Sequence, residues 1–496
     1  MRHERYSLWA GLVLLLVTTF RLFYINHLEL VGDEAYYWLW SRHPDICYLD
    51  KGPVIAWFIM LGTSLFGQTV FGVRFFAVLL AAGTGAAMFG LARRLFSARV
   101  GFFTVVLAAV VPLYAVGSVL MTIDTVYLFF WVAAAWAFWE AKETRRWGPW
   151  VAVGVLLGLG ILAKYTAALE MVSFALFCCW HRPSRRSLLS LRGAAMLLTT
   201  GLLLTPAVVW NAIHEWPTSR FLIHRGDLDG QARLQPLNLL TFLGGQAGVI
   251  SPLVFLAVVA VALIPFFRPR PWVMPVETAY LLSLFWPLFG FYLLLSLQHT
   301  SEANWPAAAY VGGIILLAAA ADRLFSYPGV LVRRLAAVAL TVALMETIAL
   351  HETSWLHLPH RLDPLDRARG WKGLAAQMDD LQHQADARFL IANKYMTAAL
   401  LSFYLPGHPT VYMPVSTAPF NQLVMWPTYR DEHPSGDALL VSDADRVSPS
   451  IHEDFPTVEP MGTVETAAGD RKVNRFYIFA CRRQPRAEHP VSDHEP

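Results

Sequence analysis

The residues best suited to chemistry lie in a few loops. Gly32-Asp33-Glu34-Ala35-Tyr36-Tyr37-Trp38 opens the first long polar stretch, and Tyr48-Leu49-Asp50-Lys51-Gly52-Pro53 follows within it. Asp124 stands within a turn of the end of one apolar run, and Lys164 lies between two others. A later loop holds Asn211, His214, Glu215, Arg220, His224, Arg225 and Asp227, and another holds Gln298, His299, Glu302 and Asn304. Ionisable groups near membrane depth are costly and usually functional. The chemistry this set suits is transfer of a group from an anionic lipid. Lys or Arg would hold the lipid phosphate and stabilise the charge that develops as it leaves. A carboxylate, Asp33 or Glu34, would accept a proton from the attacking hydroxyl. Tyr36, Tyr37, Trp38 and Trp40 either stack on a sugar or belong to an interfacial aromatic belt, the belt being the commoner outcome. His214 and His224 have no close second ligand, so no metal site is read. The chemistry requires no cofactor, and a divalent cation on the donor phosphate is compatible with it.

The elements that must position these residues are membrane helices. The chain has 496 residues, 56% apolar and 15% charged, with a mean hydropathy of +0.44. Soluble domains carry about 25% charge, so this chain cannot cover itself with polar surface in water. Disorder and disulfide scaffolds are excluded, and a formal charge of +3 gives no reason to expect nucleic acid. Apolar runs near 6–25, 70–92, 100–117, 120–139, 148–163, 165–180, 193–210, 249–267, 278–297, 304–321 and 333–350 predict about 11 transmembrane helices. With a cytoplasmic N-terminus, the cytoplasmic segments hold about 17 Lys and Arg against about 6 in the opposite loops. The first run reads as a retained helix rather than a cleaved leader, because it is long, carries Arg21 and precedes no small-residue cleavage site. Cys47 and Cys481 read as free thiols, with a disulfide between them as the lesser alternative, and Cys178-Cys179 lies inside an apolar run.

Residues 1–350 are therefore read as a transmembrane catalytic domain, with 26–69 as its first outer loop. Residues 351–496 are polar and rich in Pro and His, and read as a small α/β domain on the outer face. Strands are expected at 387–393, 410–413, 438–442 and 473–480 and a helix at 394–404, with a disordered tail from Arg482. Trp305-Pro306 is expected to start the tenth helix, where proline is tolerated.

Several segments carry a family resemblance: GDEAYYWLW at 32–40, YLDKGPVIAW at 48–57, VLMTIDTVYLFFW at 119–131, LAKYTAAL at 162–169, WNAIHEW at 210–216, RFLIHRG at 220–226, EANWPAAAY at 302–310 and LLSFYLPGHPTVY at 400–412. In order and spacing they resemble the GT-C membrane glycosyltransferases, in the bacterial family-39 branch that includes aminoarabinose transferases and relatives of the protein O-mannosyltransferases. The resemblance implies a polytopic α-helical GT-C fold, amphipathic helices in the first periplasmic loop and a periplasmic C-terminal domain. It implies a location in the inner membrane and transfer of one sugar from a polyprenyl-phosphate donor to a periplasmic or outer-leaflet acceptor. That acceptor is lipid A, another envelope glycan or a protein. The family's essential acid and proposed base maps to Asp33. The family's donor-phosphate lysine maps to Lys51, the second acidic position to Asp124 and the later Arg-Gly element to Arg225-Gly226. Lys51-Gly52-Pro53 departs from the His-Pro-Pro frequent in this branch.

The expected site is thus Asp33 and Glu34 for proton transfer, and Lys51, Arg225, Lys164 and Arg220 for phosphate. Tyr36, Tyr37, Asp50, Asp124 and His224 are expected to contact substrate. For Asp124, an ion pair with Lys164 is the structural alternative. The rival reading is a polytopic transporter or lipid-linked-sugar flippase, which would show paired broken helices and repeat symmetry. A third is a non-catalytic scaffold, against which the intact Asp33, Lys51 and Asp124 count.

Overall fold

The computed structural model describes residues 2–483 except 145, 226–233, 268–272, 326–329, 357, 360–362, 416–420 and 469–470; the side chains of 2–3, 224–225, 467–468 and 471–473 are also outside the description. The chain forms two units. The first comprises Met1–His27 and Ser41–Leu358, and the second Leu28–Trp40 and Pro359–Pro496. Thirteen residues of the expected first outer loop therefore group with the C-terminal segment rather than with the helical bundle.

The first unit is helical. It starts with α1 (Arg2–Tyr24), and the chain returns to it on the last residues of α2 (Gly32–Arg42). There follow α3 (Val54–Phe66), α4 (Val70–Leu95), α5 (Ala98–Val110), α6 (Pro112–Gly117), α7 (Ile123–Glu143), α8 (Trp147–Ala163), α9 (Leu169–Trp180), α10 (Arg182–Leu188), α11 (Leu191–Ile213) and α12 (Pro217–Arg225). The bundle ends with α13 (Pro236–Ile250), α14 (Pro252–Phe267), α15 (Val276–Leu295), α16 (Ala309–Phe325) and α17 (Val330–His351).

A helix lies at every apolar run the sequence offers, but several are short. Among the described residues, four helices are long and apolar enough to cross a membrane, at Glu4–Tyr24, Val70–Leu95, Leu191–Ile213 and Val276–Leu295. A fifth is possible if α13 and α14, bent by 110° at their junction, form one broken span. This is a multi-pass helical membrane fold. The run at 100–117 breaks because Val111 is extended and Pro112 starts a new helix, as expected for a residue before proline. Neighbouring helices approach closely where small residues allow it. At Gly312 a methyl group would sit 2.4 Å from the Leu281 carbonyl oxygen, so α16 lies against the backbone of α15.

The second unit holds α18 (Trp371–Gln384), β1 (Phe389–Ala392), α19 (Tyr395–Tyr404), α20 (Tyr429–Glu432), β2 (Ala438–Ser442), α21 (Pro449–Asp454), β3 (Thr457–Ala468) and β4 (Arg471–Arg482). The sheet order is β1-β2-β4-β3; β1 and β2 are parallel and the other pairs antiparallel. Phe389, Ile391, Tyr429, Leu440, Ile451, Phe455 and Phe479 form its core. The expected strands at 387–393, 438–442 and 473–480 are present. The one at 410–413 is reduced to a single bridge between Ile391 and Tyr412. β3 was not anticipated. Pro460 and Gly462 interrupt its alternation, and the ladder shifts register between them, an irregularity that an edge strand tolerates. The expected tail lies outside the described residues beyond Arg483, and Arg482 itself closes β4.

The polar N-terminal stretch of the second unit is tied in by specific bonds. The Glu29 carboxylate accepts from the Trp371 and Lys372 N–H groups at 2.6 and 3.4 Å. It thereby satisfies two of the four donors that a helix start leaves open. Its position suits the positive end of the α18 dipole. The Leu30 N–H donates to the Tyr404 hydroxyl at 2.7 Å.

Candidate functional site

In the first unit, the residues the sequence singles out gather at the ends of α7 and α8. Asp124 lies in the first turn of α7, where a carboxylate is favoured by the helix dipole. Lys164 follows the last residue of α8 in extended conformation. Its ammonium is 2.6 Å from Asp124 Oδ1 and 4.8 Å from the centre of the Tyr127 ring. The Lys164 side chain is 8% exposed and that of Asp124 19%, so the pair is largely withdrawn from water. Asn304 Nδ2 donates to Asp124 Oδ2 at 2.6 Å, so both carboxylate oxygens are held.

Asn304 reaches Asp124 because the segment before α16 is not helical. Trp305-Pro306 was expected to begin a helix; instead 303–308 form successive turns and α16 starts at Ala309. Side chains from other helices satisfy those turns. The Tyr114 hydroxyl donates to the Ala307 carbonyl at 2.8 Å, the Tyr127 hydroxyl accepts from Ala308 N–H at 3.2 Å, and Gln246 Nε2 donates to the Ala303 carbonyl at 3.0 Å. The sequence places Asn304 among the loop polar residues without marking this role. The signal available was its place in EANW, two residues ahead of a proline.

Lys51 belongs to a short loop docked on the same end of α8. A methyl group on Gly52 would lie 2.0 Å from the Leu162 carbonyl oxygen, so only glycine allows this backbone contact. The loop carrying Lys51 therefore touches the chain two residues before Lys164. The loop is also internally braced. Tyr48 N–H donates to the Lys51 carbonyl at 3.1 Å, and the Tyr48 hydroxyl bridges the Asp45 N–H and the His43 carbonyl. Trp210 Nε1 donates to Asp45 Oδ2 at 3.0 Å, anchoring the loop to the end of α11. Burial raises the Tyr48 hydroxyl to about 12 and also raises the Cys47 thiol. Both are therefore neutral structural groups at physiological pH. Lys51 Nζ stands 5.7 Å from the centre of the Phe221 ring on α12, a cation–π distance. Asp50 is buried beside it in sequence, at 9% exposure.

The other expected cations and the histidine of this unit, Arg220, His224 and Arg225, lie on α12. Arg220 pairs with Glu215 at 3.5 Å, with both side chains mostly in solvent, an arrangement worth little. The side chains of His224 and Arg225, and Gly226 entirely, lie outside the described residues. All four cysteines are free thiols, so Cys47 and Cys481 are not bridged. Among the described residues, no group of three or more His, Cys, Asp and Glu side chains is arranged to hold a metal ion.

In the second unit, Asp33 is exposed in the first turn of α2. Glu34 is fully buried, and its Oε2 accepts from the Val31 N–H at 3.1 Å. That is the reach-back half of a capping box. Tyr36 and Tyr37 are buried. The Tyr36 ring packs against Trp40 and Tyr395 at 4.9 and 4.7 Å, and its hydroxyl accepts from Gln422 N–H at 2.6 Å. The aromatic run thus helps join α2 to α19 and the later loops.

Residues 50–210 match a family model described as dolichyl-phosphate-mannose-protein mannosyltransferase. The chain is 29% identical to a lipid A galacturonosyltransferase of Rhizobium johnstonii, over 62% of this chain and 64% of the relative. It is 30% identical to an undecaprenyl phosphate-alpha-4-amino-4-deoxy-L-arabinose arabinosyl transferase of Pseudomonas aeruginosa, over 35% of this chain and 36% of the relative. These matches span just under two thirds of the first relative and about one third of the second. Among solved structures, ArnT of Cupriavidus metallidurans in its apo state superposes with a TM-score of 0.64 at 19% identity, covering 95% of this chain and 97% of that one. An oligosaccharyltransferase of Archaeoglobus fulgidus superposes with a TM-score of 0.52 at 14% identity, covering 90% and 70%.

Proposed function

We propose that this chain, whose fold is that of the GT-C membrane glycosyltransferases, is a polyprenyl-phosphate-dependent sugar transferase acting on lipid A or a related envelope acceptor. The observation that carries the reading is the docking of the Lys51 loop onto the end of α8, which brings the backbones bearing Lys51 and Lys164 together. Two cations based on adjoining segments, beside buried polar partners, suit capture of a lipid phosphate and neutralisation of the charge it gains on leaving. The similarity to a lipid A galacturonosyltransferase and to undecaprenyl-phosphate aminoarabinose transferases supports the same donor and acceptor classes. The ArnT of Cupriavidus metallidurans has also been solved with undecaprenyl phosphate bound.

In this reading the donor's prenyl chain lies in the bilayer of the inner membrane. The N-terminus is cytoplasmic and the second unit periplasmic. Lys51 holds the phosphate, with Lys164, Arg225 and Arg220 adding positive charge. Asp50, Asp124, His224, Tyr36 and Tyr37 line or shape the substrate sites. The acceptor oxygen attacks the anomeric carbon as its bond to the phosphate oxygen breaks, so configuration inverts and polyprenyl phosphate departs with the bonding electrons. Asp33 takes the acceptor's proton, and Glu34 supports it by fixing the first turn of α2. An acceptor that is itself a phosphate needs no base, and Asp33 then orients it. These steps require no cofactor, and a divalent cation is compatible with them.

The test is direct. Purified protein is mixed with undecaprenyl-phosphate-linked galacturonic acid or aminoarabinose, radiolabelled in the sugar, and with lipid A. Label should pass to lipid A, and Asp33→Asn should slow that transfer by about 10²–10⁴-fold, the usual contribution of a general base. Failure of label to move from any polyprenyl-phosphate sugar to envelope lipid, glycan or protein would remove the proposal.

A further inference from the structure

We propose that Asn211 is a positioning residue for the donor phosphate, locking the loop that carries Lys51 to the start of the helix that carries Phe221. The inference rests on Lys51 as the phosphate ligand. A lysine on a flexible stem binds an anion well only if its base is fixed, because ordering the side chain costs entropy. Among the described residues, one buried amide lies at the junction of the segments that fix it.

Asn211 stands near the end of α11 and is 7% exposed. Its Nδ2 donates to the Ala207 carbonyl at 3.0 Å and approaches Cys47 Sγ at 3.7 Å. Its Oδ1 accepts from Thr218 N–H at 3.2 Å, in the first turn of α12. Its main-chain carbonyl accepts from Trp216 N–H at 2.7 Å. The Cys47 sulfur in turn lies 3.6 Å from the Tyr48 carbonyl oxygen, 3.9 Å from the Lys51 carbonyl oxygen and 3.7 Å from the Tyr165 hydroxyl. One side chain thus joins α11, α12 and the Lys51 loop.

The turn it closes is strained. Glu215 and Trp216 are consecutive non-glycine residues with φ of 61° and 59°. Such a conformation persists only where surrounding bonds over-determine it, and Asn211 supplies two of them. α12 follows directly on this turn, and the ring of Phe221, three residues past Thr218, has its centre 5.7 Å from Lys51 Nζ. Asparagine is the residue type that fits. Aspartate lacks the donor, leucine lacks both groups and glutamine is a methylene too long.

The experiment compares Asn211→Ala, Asn211→Asp, Lys51→Ala and Asn211→Ala/Lys51→Ala in the full-length protein in detergent. It measures the Kd for undecaprenyl phosphate, kcat and KM for sugar transfer, and the thermal midpoint. Asn211→Ala should raise Kd and donor KM about tenfold, within the range of coupling between contacting residues, with kcat nearly unchanged. Added to Lys51→Ala it should weaken binding no further. Asn211→Asp keeps the acceptor for Thr218, so it should stay folded and show a smaller loss of affinity; it decides the matter if the alanine variant does not fold. Wild-type affinity in Asn211→Asp and Asn211→Ala alongside weakened Lys51→Ala, or losses that multiply in the double variant, would overturn the positioning role. Unchanged affinity in Lys51→Ala would instead overturn the phosphate assignment beneath it.

Discussion

The ammonium of Lys164 lies 2.6 Å from one oxygen of Asp124, and the other oxygen takes a 2.6 Å hydrogen bond from Asn304. Three segments distant in sequence, the start of α7, the end of α8 and the turns before α16, are joined through one carboxylate. Burial makes this node sensitive to losing one partner and tolerant of losing both charges together. Lys164→Met should therefore destabilise the protein by about 3 kcal/mol, because Asp124 is left charged and unpaired. Lys164→Met with Asp124→Asn should recover most of that loss in the thermal midpoint. Sugar transfer separates structure from function here. If Lys164 also binds the donor phosphate, the double variant regains stability but keeps a raised donor KM. Full recovery of transfer would assign Lys164 to the ion pair alone.

How much of this was legible beforehand follows from the range over which each force acts. Apolar runs located the helices, since burial in lipid imposes long local patterns. The shortness of α5 and α6 was also written locally, in Pro112, yet the run continued through it. The bend between α13 and α14 had no comparable signal at Pro252, which starts a helix comfortably. Asp124 and Lys164 were readable as a pair because both flank apolar runs. Asn304 was not, because its role depends on Tyr114, Tyr127 and Gln246 holding open a turn that sequence read as a helix start. In the second unit, β1, β2 and β4 showed as apolar runs, while Pro460 and Gly462 hid β3. The union of Leu28–Trp40 with the C-terminal segment could not be read at all, for it rests on bonds such as Glu29 to Trp371 across more than three hundred residues.

Asp33 and Glu34 are neighbours with different environments, and they should separate by experiment. Glu34 is buried and bonded to the Val31 N–H, whereas Asp33 is exposed. Glu34→Ala should cost about 1 kcal/mol through loss of the helix-start partner, and Glu34→Gln, which keeps an acceptor, should cost much less. Asp33→Asn should leave the thermal midpoint almost unchanged while transfer falls. A Glu34→Gln variant with wild-type stability but turnover as low as Asp33→Asn would place Glu34 in the chemistry beyond its capping bond.

Gly52 makes a sharper steric prediction. An added methyl group would meet the Leu162 carbonyl at 2.0 Å, and that carbonyl is backbone, which cannot rotate away. Gly52→Ala must push the Lys51 loop off α8, at a cost of about 1–3 kcal/mol typical of overpacking. Because the loop carries Lys51, donor KM should rise along with the fall in stability. The stability loss is read by thermal denaturation in detergent, and the KM by initial rates at varied donor. Normal stability and normal KM in this variant would mean the loop does not rest on α8.

Glu29 gives a pH-dependent prediction with a definite sign. Burial pushes its carboxyl above the usual range, and the hydrogen bonds from Trp371 and Lys372 with the charge of Lys372 offset only part of that. A folded-state pKa above the unfolded value means that the folded chain binds this proton more tightly. The group's contribution is then fully present below its unfolded pKa and is lost as pH rises through the folded one. At neutral pH the carboxylate caps α18 but carries an uncompensated burial cost. Glu29→Gln retains an acceptor without the charge. It should therefore match or exceed wild-type stability at pH 8 and lose the advantage near pH 4. Glu29→Ala removes the cap and should cost about 1 kcal/mol across the range. Thermal midpoints of the three proteins at pH 4, 6 and 8 decide between these effects. A wild-type midpoint that gains on Glu29→Gln as pH rises would show that the hydrogen bonds to α18 outweigh burial, and would reverse the sign assigned here.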